Sequence, residues 1–325
     1  MQWSYIAVST ARHYRMKKIL AYIKEYAAQT NKTVFILSAF FVAIAIYINY
    51  HFGLNKKINS VGEIQQYISW FAIFLLAFSF AYLLQALLLG SNIFRNKNFL
   101  YLLFIAPAIF AWKMSFSFDF HFTSDAELNN YWNHVVYWPL RLMVITAALY
   151  IVWQTFDKDE SFYGLGAGHF NAKPYFIMLL IMVPLIAAAS TQPDFLAVYP
   201  KLKNVQYLSA QHNNGLYKLL YELSYGSDFF SIELFFRGFL VLAFVKWAGK
   251  DAILPMAVFY CTIHFGKPLG ECISSFFGGL LLGIVTYNTR KILGGLIVHL
   301  GIAWMMELAV IFTPCPPEGG KTASL

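Results

Sequence analysis

Asp228-Phe-Phe-Ser-Ile-Glu-Leu-Phe-Phe-Arg-Gly-Phe-Leu-Val-Leu-Ala-Phe-Val245 is an apolar run that sets a carboxylate, Glu233, and a guanidinium, Arg237, one helical turn apart. An ionisable side chain at the centre of a membrane helix costs at least about 2.5–3.5 kcal/mol, so such residues face a protein interior or a wet cavity. The Glu-then-Arg order at i, i+4 is the favourable orientation of a helical ion pair. The run is long enough for most of a bilayer crossing. Its charged pair therefore needs other helices around it.

The rest of the chain supplies them. Of 325 residues, 59% are hydrophobic and only 12% charged, about half the charged fraction of a soluble domain. The chain reads as an all-α polytopic membrane bundle of about eight or nine transmembrane helices. Apolar stretches of bilayer length fall near 33–52, 67–90, 98–117, 135–155, 174–190, 229–247, 252–266, 271–289 and 293–312. The stretch at 252–266 is short and ends at Gly266 and Pro268, which predicts a broken helix buried in protein. Five segments follow: a basic cytoplasmic lead-in (1–32), N-terminal transmembrane helices (33–190), an interfacial loop (191–227), the polar-motif helices (228–312) and a flexible tail (313–325). No Ala-x-Ala-like cleavage site precedes the first apolar run, so no signal peptide is expected.

The net charge of +8 does not indicate nucleic acid, because the basic residues sit at the ends of apolar runs. They are denser around Arg12, Lys17, Arg95, Lys158, Lys246 and Arg290 than around Lys56, Lys201 and Lys321, which predicts an N-in orientation. Cys261, Cys272 and Cys315 have no metal-type spacing and read as small apolar residues.

Four more polar residues share the last hundred positions with Glu233 and Arg237. His264 ends the short stretch, Glu271 opens the next, and His299 and Glu307 lie in the last. His299, Ala303 and Glu307 fall along one helix face. By rise per residue, Glu307 is expected to match the depth of Glu233 better than His299 does. Carboxylates and imidazoles inside a membrane suit proton relay or activation of water with an imidazole polarising a carbonyl. No His-Glu-x-x-His, Gly-x-Ser-x-Gly or phosphate-binding loop occurs, which removes those metalloprotease, serine-hydrolase and nucleotidase signatures. Gly164-Leu-Gly-Ala-Gly168 reads as a connection, and Gly279-x-x-x-Gly283 as a close helix contact.

The order Glu-x-x-x-Arg, aromatic-x-x-x-His, then a late in-span His resembles the CPBP family, the CAAX-processing and bacteriocin-processing intramembrane glutamic endopeptidases. The resemblance covers about 175–312. It implies glutamate-activated water, with histidines and an asparagine stabilising the oxyanion. Carried over by position, Glu233 is the second motif glutamate, Arg237 the motif arginine, His264 the second-motif histidine and His299 the third. Tyr260 stands where the family usually has Phe. Two departures matter. Ile232 replaces the first glutamate, and Ala303 replaces the asparagine. Glu271 and Glu307 are candidate replacements.

The resemblance thus implies a metal-independent peptidase without cofactor. Glu233, Glu271 or Glu307 would be the base, His264 and His299 would act on the carbonyl, and Arg237 would orient Glu233. Its partners would be membrane lipids, a protein or peptide substrate and a possible partner membrane protein, in a bacterial inner (plasma) membrane. The missing groups suggest, as the alternative, a catalytically silent relative that binds a peptide, lipid or membrane protein. A proton-coupled transporter fits the polar cluster, although no internal repeat accompanies it. A Glu233–His264–His299 zinc site is opposed by the Arg237 charge.

Overall fold

The computed structural model describes residues 18–166, 170–210 and 214–309. The expectations for 1–17, 310–312, the tail 313–325 and Cys315 lie outside the described residues. A helical stretch over 18–29 leads into α1 (Lys32–Phe52). Then come α2 (Glu63–Leu89), α3 (Lys97–Ser115), α4 (Ala126–Phe156) and α5 (Lys173–Ala189). α6 (Asn214–Glu233) runs into a π-helical stretch, Leu234–Ala243. α7 (Ile253–Thr262), α8 (Leu269–Thr289) and α9 (Leu293–Ala309) complete the bundle.

Sequence marks the helix ends. Asn31, Asn96 and Asp125 side chains accept from the backbone amides of Val34, Phe99 and Leu128, each satisfying one of the donors a helix start leaves unpaired. Gly53 stops α1 at φ 64°, a conformation open to glycine at no steric cost.

Helices α1 to α4 and α8 are long and apolar enough to cross a membrane. Large apolar side chains point outward, with Ile36 63%, Leu87 80% and Leu180 70% exposed. Polar and charged groups such as Lys113, Glu233 and Arg237 are buried. That inverts the soluble pattern. The chain is a multi-pass, all-α membrane protein.

The stretch at 174–190 is α5, as expected, and it bends by 97° into Pro193–Val205. One boundary differs from expectation. The polar segment 191–227 is not one loop, because α6 already starts at Asn214. Its average hydropathy hides an inside-out amphipathic helix. Leu216, Leu219 and Leu223 are exposed, while Tyr221, Ser224 and Tyr225 are buried in its packing with α4 and α9.

The bundle is organised around α7. All ten of its residues are buried, so a helix too short to span lipid never meets it. α2 packs one side through Phe74 and Phe259, ring centroids 4.8 Å apart. α8 packs another through its paired glycines. A Cβ on Gly279 would come within 3.1 Å of Tyr260 Cδ1, and one on Gly283 within 2.5 Å of Met256 Cε. The Gly-x-x-x-Gly thus sets how closely α8 approaches Tyr260.

Candidate active site

Glu233 closes α6, and Arg237 lies in the π-helical stretch that follows. Such i→i+5 turns are rare and occur often at functional sites. Both side chains are fully enclosed, and Arg237 Nη1 lies 3.2 Å from Glu233 Oε1. On α9, His299 brings Nδ1 to 2.9 Å from the same oxygen. A charged carboxylate only accepts, so this bond assigns the proton to Nδ1. The other nitrogen, Nε2, lies 3.1 Å from the Tyr260 hydroxyl of α7.

Four elements therefore converge in one chain of contacts: Arg237, Glu233, His299, Tyr260. The Arg237 guanidinium also lies over the Tyr260 ring at 4.0 Å, a cation–π contact. On the far side of the chain, His264 packs its ring 4.7 Å from that of Tyr260. Its Nδ1 is 2.9 Å from the Tyr260 carbonyl oxygen. A carbonyl oxygen accepts, so neutral His264 keeps its proton on Nδ1 and presents a lone pair at Nε2.

Residues 228–305 fit the family model described as type II CAAX prenyl endopeptidase Rce1-like. The match spans this segment and agrees with the resemblance of its motifs to the CPBP family. No curated protein and no solved structure matches the chain.

Within this segment, the expected Glu233–Arg237 pair and both histidines come together. The expected depth does not hold: His299, not Glu307, is level with Glu233, because the register of α9 makes the direct 2.9 Å contact. Glu233 is also enclosed more tightly than a water-activating base requires. A Cβ on Gly295 would collide with its Oε2, so that oxygen rests on the glycine backbone and has no hydrogen-bond partner among the described residues.

Glu307 lies elsewhere. Its two oxygens accept from the backbone amides of Lys201 and Leu202 at 2.8 and 3.2 Å, fastening the 3-10 segment Lys201–Ala210 to α9. Glu271 accepts from the Tyr199 hydroxyl at 2.9 Å and lies 3.7 Å from Lys267 Nζ. Lys267 also donates to that hydroxyl at 3.1 Å. Burial, with Lys267 nearby, pushes the Lys201 ammonium down to about 8.

Lys113 and Asp228 were legible only as isolated charges. Lys113, buried in α3, reaches 2.7 Å to Asp228 Oδ1 and 2.7 Å to the Ser231 hydroxyl. An in-span lysine needs such a partner, but spacing alone cannot say which. Cys261 and Cys272 are buried with their sulfurs 4.0 Å apart. Among the described residues no group of three His, Cys, Asp or Glu side chains gathers as a metal site.

Proposed function

We propose that the protein is an intramembrane endopeptidase in which the two histidines divide the work that Ile232 and Ala303 cannot do. One observation carries the reading: His264 Nδ1 is tied to the Tyr260 carbonyl, which leaves Nε2 as a free base beside the Glu233–His299–Tyr260 chain. His264 takes a proton from water as the oxygen attacks the substrate carbonyl carbon. It returns that proton to the leaving nitrogen when the C–N bond breaks. Glu233 acts behind His299, fixing its ring and balancing its charge, much as a buried carboxylate orients a catalytic imidazole. Arg237 holds Glu233. The role moves from Glu233 to His264 because the Glu233 carboxylate is enclosed and its second oxygen rests on Gly295.

The substrate in this reading is a membrane-associated protein or peptide, consistent with the family. The test compares N-terminal peptides of membrane proteins from cells carrying the wild-type chain, His264→Ala or Glu233→Ala at matched levels. N-termini present only with wild type support the reading. Three identical profiles overturn it.

A second reading, a silent relative that binds a membrane peptide, draws on Ile232 and Ala303, neither of which can move or donate a proton. It expects those identical profiles, together with a captured partner that His264→Ala releases.

A further inference from the structure

Tyr260 brings a hydroxyl into a cluster of phenylalanine rings. Its own ring meets Phe236 at 5.0 Å, and Phe259, Phe235 and Phe110 continue the same packing. A phenylalanine would fill this space equally well. A buried hydroxyl costs free energy unless it is hydrogen-bonded, and this one lies 3.1 Å from His299 Nε2. The residue is 4% exposed and lies between Arg237 on its face and His264 at its side.

The opposite change sits one turn along α9. Ala303, buried against Tyr225 and Phe229, offers no donor on the face that carries His299. One helix has lost a hydrogen-bond donor, and the helix facing it has gained one.

Resting on the endopeptidase reading, we infer that the Tyr260 hydroxyl is the oxyanion donor of this enzyme, touching the substrate carbonyl oxygen as it becomes negative. His299 holds Nδ1–H on Glu233. Before substrate binds, His299 takes a second proton from water at Nε2, its charge balanced by Glu233; Nε2–H then donates to the Tyr260 oxygen, and Tyr260 turns its own O–H toward the substrate. Water oxygen bonds to the carbonyl carbon, its proton passes to His264, and the carbonyl electron pair moves onto oxygen. That oxyanion accepts from Tyr260, which keeps its proton throughout. When the tetrahedral centre collapses, the C–N bond breaks and the leaving nitrogen takes the proton from His264.

The test uses the purified full chain mixed with membranes from cells lacking it, following initial rates of the wild-type-dependent N-termini. Tyr260→Phe, which keeps the packing, should slow these rates by about 10²–10³-fold, as loss of one oxyanion donor does. Tyr260 replaced by a difluorotyrosine, a more acidic phenol of nearly the same shape, should move the alkaline limb of the pH–rate profile to lower pH. Both results together support the inference. A Tyr260→Phe rate within threefold of wild type overturns it and leaves the endopeptidase reading intact. A slow Tyr260→Phe with an unshifted difluorotyrosine profile also overturns it, reducing Tyr260 to a support for His299. If the wild-type chain yields no N-termini, the endopeptidase reading fails and this inference with it.

Discussion

Gly295 and Glu233 are in backbone-to-carboxylate contact: α9 can approach α6 because residue 295 has no side chain, and a Cβ there would collide with Glu233 Oε2. The histidine one turn further along α9 reaches the same carboxylate. Gly295→Ala should therefore separate His299 from Glu233. Overpacking of this kind costs about 1–3 kcal/mol. The expected outcome is a lower melting temperature in detergent together with loss of the wild-type-dependent N-termini. Normal stability and normal cleavage would show that the close approach is dispensable.

Lys113, buried in α3, pairs with the partly exposed Asp228. Lys113→Met leaves Asp228 without its cation; because Asp228 is partly exposed, the loss should fall below the about 3–5 kcal/mol of a fully buried pair. The double variant Lys113→Met with Asp228→Asn should recover most of that loss, since contacting residues couple strongly. Thermal unfolding of the four proteins of the cycle measures the coupling. Additive losses would mean the two side chains do not interact.

Glu307 holds backbone amides rather than a reacting group. Glu307→Ala leaves two amides unpaired, at about 1–3 kcal/mol for each that stays buried. It should expose the 201–210 segment to limited proteolysis. Where the protein remains folded, the rate of bond cleavage should change little. A stable variant with abolished cleavage would return Glu307 to the chemistry.

Lys201 gives a pH signature. Its ammonium is pushed down to about 8 in the fold, while the unfolded chain titrates near the ordinary value of about 10.4. Between those values the unfolded state holds more protons, so stability rises with pH across the window. Below pH 8 the charged form carries its burial penalty in full. Lys201→Met should flatten this rise, measured as melting temperature against pH for both proteins. Parallel curves would contradict it.

The helical pattern was legible because lipid demands long apolar runs and because glutamate and arginine at i, i+4 can face each other only in a helix. The Gly279–Gly283 contact and the burial of the short stretch around Tyr260 followed from the same rules. Three features were not legible. The polar stretch before Asp228 concealed the start of α6, since a helix with tyrosines inward and leucines outward averages to a loop. The depth of His299 depended on where α9 begins, and a shift of two turns separates Glu307 from His299. The partner of Lys113 lies 115 positions away along the chain, a distance that spacing rules do not reach. The Tyr260 hydroxyl was visible as a departure from phenylalanine, but its use required the position of His299.

The enclosure of α7 also bears on how the protein is made. Ile253–Thr262 is surrounded on every side, and two of its neighbours, α8 and α9, are synthesised after it. A ribosome that stalls before Leu293 releases a chain with Tyr260 and His264 but without His299, the residue that joins them to Glu233. Only a chain that has reached α9 can join Tyr260 to Glu233 through His299, so shorter nascent forms in the membrane lack the assembled polar centre.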